Sequence, residues 1–521
     1  MNEYAFVGLV AAVLAGAHRA AILWIYRSWF QQGFAGDAAF HLAVVRRLNR
    51  TGSYDGIQEF LIRDEADTYP ILFHRIVALF PLRLVERFSY LPNGIIWVIM
   101  VSAAALYAHY VSTELLGLTG ARFALTFLIV FLGLASNVAL DMNGLNYISL
   151  SERLLSRFCC GIYVLTLTEF MTFGDRVSFV AATVFGTLTL ISSMFGRQAI
   201  FFVTPIVCLL SLSMWPLVVM ASSLLGATIV DRGYFLRGLR HMSQFSHAYR
   251  NHTKHSRYYK LGLSRFIDLK AVLGRGRGVL SRIYELEHNE PTRIVFRHPE
   301  LILLIVLQAF WPGQATTAEF AVMTATLVVY VATSTAALRH YGEATRYIEF
   351  ALWLVPVVIL TKYAVMGVVP SIVWFVYGAW VVVTALKKYQ DWSNLNFPSS
   401  DVLSKFVAPL QIDRDATIFT VPFTLGAAVQ VRTQCRALMY QGSAVTLDLY
   451  EKFMEEIPFL KRNWKSLATE FHVSHIICER SYLGIMKSLM GWEYDFSDIA
   501  KIAESDRYVA YRLTEPHSTN P

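Results

Sequence analysis

Asp37 and His41 stand four residues apart, a spacing that puts both on one face of a helix. They follow an apolar run, so a carboxylate there meets the membrane surface and is partly desolvated. Burial raises a carboxyl pKa and a nearby cation holds the group ionised, an environment that suits a general base. The same Asp also reads as a helix cap with a chance histidine beside it. Further on, Asp64, Glu65 and Asp67 read as a solvated loop, and Tyr69, Pro70 and the apolar residues up to His74 read as the start of a juxtamembrane helix. His41, Tyr69 and His74 are candidates for positioning a substrate.

Two later stretches are dense in polar groups at the ends of apolar runs. The stretch 141–156 begins at Asp141, a further positioning candidate, and holds Arg153 at the head of an apolar segment. Arg153 there is either an interfacial anchor that snorkels or an anion ligand. The run 192–198 holds Arg197. The run 339–349 carries Arg339, Glu343, Arg346 and Glu349. A charge at the bilayer centre costs at least about 2.5–3.5 kcal/mol, so ionisable groups near that depth face a cavity or pair with one another. Arg346, with Arg153 or Arg197, can hold a phosphate through bidentate hydrogen bonds. The plainer alternative is a salt-bridged helix end, since Glu343 and Arg346 are three apart.

These residues need elements that hold them at a membrane. Of 521 residues, 55% are hydrophobic and 16% charged, against about 25% charged in soluble domains. Mean hydropathy is +0.43. The apolar residues are gathered into runs near the roughly 17–25 residues that span a bilayer. Eleven spans are expected, at about 4–26, 93–112, 123–140, 157–173, 177–194, 199–213, 215–230, 299–312, 317–338, 348–361 and 366–386. The pair 199–213 and 215–230 also reads as one unit kinked at Pro216. The fold class is therefore mainly α, a polytopic membrane bundle over 1–386, with a small soluble α/β domain over 387–521. In that tail, 416–421, 473–478 and 508–513 read as strands, and 449–459 and 464–471 as helices.

Short turns at Arg122, Asp175-Arg176 and Lys362-Tyr363 each carry a cation, so positive-inside logic makes them cytoplasmic. The first polar stretch, 27–92, then lies outside with 141–156, 339–347 and the tail. The loop 231–298 also falls outside. Residues 231–300 hold 14 Lys or Arg against 6 Asp or Glu, a net charge as large as the whole chain's +8. Long loops obey the charge rule weakly. Such basicity fits anionic lipid or phosphate, or a merely solvated loop, and no nucleic-acid site is expected. The five cysteines form no CxxC pair or metal-ligand spacing and read as packing residues. Asn49-Arg50-Thr51 and Asn251-His252-Thr253 are glycosylation sequons of consequence only in a eukaryotic secretory setting.

In order and spacing, Asp37 shortly after the first span, the Tyr69–His74 segment, Arg153 at the outer start of a span and Glu343–Tyr347 resemble the GT-C superfamily of membrane glycosyltransferases, which use polyprenyl-phosphate-linked sugars. The resemblance implies a GT-C-like bundle with an extracytoplasmic α/β tail. It implies Asp37 as catalytic base, Arg346, Arg153 and Arg197 on the donor phosphate, and Glu343 among the positioning groups. The implied partners are a polyprenyl-phosphate sugar donor, membrane lipids, and a glycan, lipid or protein acceptor. Asp37 is followed by Ala38 rather than a second acid, which leaves a divalent cation as cofactor an open question. A multi-pass protein of a bacterial inner membrane, with its site facing outward, is expected. The rival reading is a transporter or lipid flippase. That class often shows internal repeats, and none is evident.

Overall fold

The computed structural model describes residues 3–25, 37–52, 70–111, 113, 150–231, 233–253, 316–335, 338–342, 344–353, 400–422, 425–438, 464–490 and 493–513, with single positions between 294 and 310 and at 359 and 362. Tyr69, Asp141, Glu343, the expected spans 123–140 and 366–386 and the expected helix 449–459 lie outside the described residues.

The chain opens with α1 (Glu3–Ile25), α2 (Asp37–Thr51), α3 (Leu72–Ala78), α4 (Leu82–Arg87) and α5 (Leu91–Tyr110). The central bundle is α6 (Arg153–Phe173), α7 (Arg176–Ser192), α8 (Met194–Ser211), α9 (Trp215–Val230), α10 (Tyr234–Thr253), α11 (Thr317–Ser334) and α12 (Ala344–Ala351). Among the described residues five helices are long and apolar enough to cross a membrane: α1, α5, α6, α8 and α11. The bent pair α9 and the start of α10 makes a sixth, and α7 is apolar but shorter. The outward faces of these helices carry exposed apolar side chains such as Val13, Ile99, Val180, Leu209 and Val331, as lipid-facing surfaces do.

Local chemistry explains the helix ends. Gly174 takes a left-handed conformation (φ 70°) after α6, and the Asp175 side chain accepts a hydrogen bond from Ser178 N at 2.8 Å. This C-terminal glycine and N-cap aspartate reverse the chain within two residues. Thr316 and Glu319 form a capping box at the start of α11. Between α8 and α9, Leu212 is left-handed (φ 49°) and Pro216 falls in the first turn of α9. Segments 199–213 and 215–230 are therefore two helices joined by a turn, because proline's fixed φ suits a helix start. Helices α7 and α9 touch closely through glycines. A Cβ on Gly186 would lie 2.3 Å from Ser223 Oγ, and one on Gly226 2.4 Å from Thr187 Oγ1.

The tail holds α13 (Ser400–Val407), β1 (Thr417–Val421), α14 (Leu425–Thr433), β2 (Arg436–Ala437), α15 (Trp464–Glu470), β3 (Val473–Glu479), α16 (Arg480–Met490), β4 (Ala500–Glu504) and β5 (Tyr508–Arg512). The sheet order is β2-β1-β3-β5-β4. β1 pairs in parallel with β2 and β3, while β5 runs antiparallel to β3 and β4. The β-branched runs expected as strands are the buried central ones. The tail does not stand apart: Ala39, Leu42, Ala43, Val44 and Val45 of α2 share a core with Phe419, Val421, Ala427, Val431, Trp464 and Ile476. α2 is apolar on several sides of its first half, so it needs partners on several sides.

Candidate functional site

Polar side chains from distant parts of the chain converge at one end of the bundle. The heads of α6 and α8, the end of α7, the segment after α11, and α2 and α3 all meet there. α2 begins at Asp37, so the helix expected for this residue is present and His41 lies one turn further on. The Asp37 side chain lies outside the described part of the molecule.

His41 is buried between two partners. Its Nδ1 is 2.8 Å from His74 Nε2, and the two rings stack with centroids 5.1 Å apart. Its Nε2 is 3.0 Å from Glu152 Oε2. All three side chains are buried, with His74 fully enclosed. Loss of water around His74, reinforced by His41 beside it, pushes its pKa down from 6.5 to about 3. His74 is therefore a neutral ring. Glu152 went unassigned in the sequence, although it stands next to Arg153. The only signal available was an acid at the head of an apolar helix, since nothing local pairs residues 41 and 152.

Next along the chain, Arg153 opens α6 as expected. Its guanidinium lies over the Phe195 ring at 5.3 Å, and so does that of Arg346, also at 5.3 Å. Two residues expected on a phosphate, nearly two hundred positions apart, thus meet at one aromatic ring. Phe195 is set by local chemistry. The Ser193 hydroxyl caps α8 by accepting from Phe195 N at 3.1 Å. Gly196 lets that first turn press on α6, where a Cβ would lie 2.4 Å from Ser156 Oγ. Arg346 also donates to Glu349 at 2.8 Å, a buried ion pair three residues apart on α12. The salt-bridge partner is Glu349, whereas the sequence suggested Glu343. Phe195 is the second group that sequence reasoning missed. An isolated aromatic in an apolar run carries no distinguishing mark.

Arg197 is turned elsewhere. It is almost fully buried, donates through Nε to the Leu190 carbonyl at 2.6 Å, and lies over Phe235 at 5.1 Å. Near it, Arg75 of α3 reaches Asp231 at 3.3 Å, tying the start of the basic loop to the first polar stretch. Among the described residues no group of three His, Cys, Asp or Glu is placed to hold a metal ion.

The arrangement can gather an anion. Two cations converge on one ring, one of them partly compensated by Glu349, and guanidinium groups bind phosphate oxygens through paired hydrogen bonds.

The fold has a counterpart among solved structures. It is similar to the crystal structure of the Archaeoglobus fulgidus oligosaccharyltransferase in complex with Zn and sulfate, with a TM-score of 0.53 at 10% identity, covering 93% of this chain and 69% of that one. Lower similarity is found to Archaeoglobus fulgidus AglB in complex with an inhibitory peptide and a dolichol-phosphate, at TM-score 0.48 and 9% identity over 93% of this chain and 71% of that one. Similarity to apo ArnT from Cupriavidus metallidurans is at TM-score 0.37 and 12% identity, over 97% and 98%. No family model and no curated protein matches the sequence.

Proposed function

We propose that this chain transfers a sugar from a polyprenyl-phosphate donor to a glycan, lipid or protein acceptor at the extracytoplasmic face of a bacterial inner membrane, with inversion at the sugar carbon. The acceptor hydroxyl attacks that carbon as its bond to the phosphate oxygen breaks. Asp37 takes the hydroxyl proton, and the polyprenyl phosphate leaves with the negative charge. Arg346 and Arg153 hold that phosphate and stabilise the charge as it develops, the kind of pre-arranged electrostatics that carries much of enzymatic rate enhancement. Tyr69, His74, Asp141 and Glu343 serve as positioning groups. Arg197, packed behind α8, supports this wall.

The observation that carries the reading is the pair of guanidinium groups over Phe195. Glu152 joins this pair to the helix of Asp37, because it lies 3.0 Å from His41 and immediately precedes Arg153. A lipid-linked donor follows from the outward orientation, since nucleotide sugars are cytoplasmic.

The test is Asp37→Asn in the purified full-length chain, assayed with a panel of polyprenyl-phosphate-linked hexoses and pentoses. Asn caps a helix about as well as Asp, so a capping role leaves turnover within a few-fold of the parent. A general base predicts a loss of about 10²-fold or more with normal membrane insertion. Asp64→Asn and Asp67→Asn, in a solvated loop by sequence, are controls expected to stay near parental activity. Parental turnover in Asp37→Asn removes the assignment.

A further inference from the structure

Phe195, Gln198 and Phe202 fall at i, i+3 and i+7 of α8, on one face of that helix. Phe195 is the ring at which Arg153 and Arg346 meet. Phe202, two turns on, packs against Tyr341 and Tyr347, with ring centroids 5.0 Å and 6.0 Å away. The Tyr347 hydroxyl donates to the Tyr341 carbonyl at 2.7 Å, which ties α12 to the 3-10 turn Arg339–Tyr341. Gln198 lies between these two anchors and is partly buried. Its amide has no hydrogen-bond partner among the described residues. Gly342, just after the 3-10 turn, leaves that amide in place. It takes φ 128°, a region that favours glycine, and a Cβ on it would lie 2.7 Å from Gln198 Oε1 and 3.2 Å from its Cδ. Any other residue would be strained at this φ and would push the amide aside. The turn is thus fitted to a side chain whose hydrogen-bonding groups serve no neighbour. A polar group packed in this way is one that a ligand can complete.

We propose that Gln198 is a specificity-determining residue that binds a hydroxyl of the transferred sugar, beside the phosphate held by Arg153 and Arg346. This rests on the reading of that pair as the donor-phosphate site. An amide both donates and accepts, as a hydroxyl does, whereas an ionised phosphate accepts and is better served by guanidinium groups. The two kinds of group therefore divide the donor between them, cations at Phe195 and an amide one turn on. Side chains three apart on a helix stand about 5–6 Å apart at Cβ, a separation that matches the reach from a phosphate to the hydroxyls of the sugar it bears. Glu349, the acid on α12, is engaged by Arg346 at 2.8 Å, so Gln198 offers a neutral group to a neutral hydroxyl. The packing of Gly342 on the amide sets its direction, because a bonded sugar gains only from a group already held in place.

The test measures binding, so it does not depend on turnover. Full-length protein in lipid nanodiscs is titrated with sugar-free polyprenyl phosphate and with a panel of polyprenyl-phosphate-linked hexoses and pentoses. The parent is expected to bind at least one sugar-bearing donor more tightly than the bare phosphate. Gln198→Met keeps the length of the side chain and removes its hydrogen bonds. It should weaken that donor roughly 3–10-fold, as loss of a neutral hydrogen bond does, and leave the bare phosphate within about twofold of the parent. Gln198→Asn withdraws the amide by one methylene and should give the same split, so the outcome does not hang on one variant folding. Arg346→Ala should weaken both probes. A merely structural Gln198 weakens both probes alike or neither, and either result overturns the proposal, as does a parent that gains nothing from the sugar. If the bare phosphate binds Arg346→Ala as well as the parent, or binds neither, the phosphate reading falls and the proposal with it. Loss of both probes in Arg346→Ala with no sugar-dependent loss in the Gln198 variants sinks the proposal alone.

Discussion

A histidine taken out of water loses its charged form first, and His74 shows the consequence for stability. In the unfolded chain this ring binds a proton below pH 6.5, and in the folded protein only near pH 3. Between those values the unfolded state holds the extra proton, so stability falls as pH falls through this window and is fully present above it. A single group contributes at most about 1.4 kcal/mol per pH unit. The expected outcome is that His74→Asn, measured against the parent by thermal unfolding in detergent, flattens the acid-side loss between about pH 6.5 and about pH 4. A loss of equal slope in both proteins assigns the acid sensitivity to other groups. At this scale the sequence offered residue types and local spacing. The i to i+4 relation of Asp37 and His41 and the place of Arg153 at a helix head were legible, because both are local. The contacts of His41 with Glu152 and of Arg346 with Phe195 were not, because each joins residues more than a hundred positions apart.

Close approach between elements places these residues, and one glycine shows how. Trp353, two residues beyond α12, lays its buried indole on the backbone of α6 and donates from Nε1 to the Arg157 carbonyl at 2.7 Å. Gly161 makes room for it: a Cβ there would lie 1.9 Å from that nitrogen. The indole is rigid and enclosed, so Gly161→Ala must displace Trp353 and the short helix bearing Arg346 and Glu349. A cost of about 1–3 kcal/mol is expected, read as a lower unfolding midpoint. Gly16→Ala on α1 is the comparison, since nothing lies within 4 Å of a Cβ there and alanine favours a helix interior. If both variants unfold like the parent, the indole contact does not constrain α12. Elements were legible where burial left a regular pattern, as in the apolar helices and in the β-branched β1 and β3. β4 escaped notice because its sequence Ala-Lys-Ile-Ala-Glu carries charges, as suits an exposed edge strand. The short α12 straddles the expected polar stretch 339–347 and the start of the expected span 348–361.

Across the whole molecule, side-chain contacts sort the connections onto two ends. Tyr4 meets His109 near the end of α5, Tyr107 bonds Glu169 near the end of α6, and Lys362 pairs with Glu319 at the start of α11. These define one end. His41 with Glu152, Arg75 with Asp231, and Gly342 packed against Gln198 define the other, where the tail domain joins α2. The alternation expected from hydropathy is thus present in the described residues, because each apolar helix runs from one end to the other. Contacts alone carry no sign, and the sign must come from charge. The turns at Asp175-Arg176 and Lys362 are short and carry cations, which weighs for cytoplasm, whereas the basic stretch after Asp231 is long and weighs little. The candidate site is therefore expected outside. Reporter fusions at residues 175 and 362 should read cytoplasmic, and fusions at 60, 260 and 450 should all read extracytoplasmic. Because the described contacts place α2, Asp231 and the tail sheet at one end and Glu169 and Lys362 at the other, the two sets are expected to differ from each other whichever way the chain is inserted. A fusion at 260 that agrees with the one at 175 would mean that α9 and α10 do not return the chain to the site end. A clean reversal of both sets would put Asp37 and Arg346 in reach of cytoplasmic nucleotide sugars, and the reason for a lipid-linked donor would disappear with the orientation.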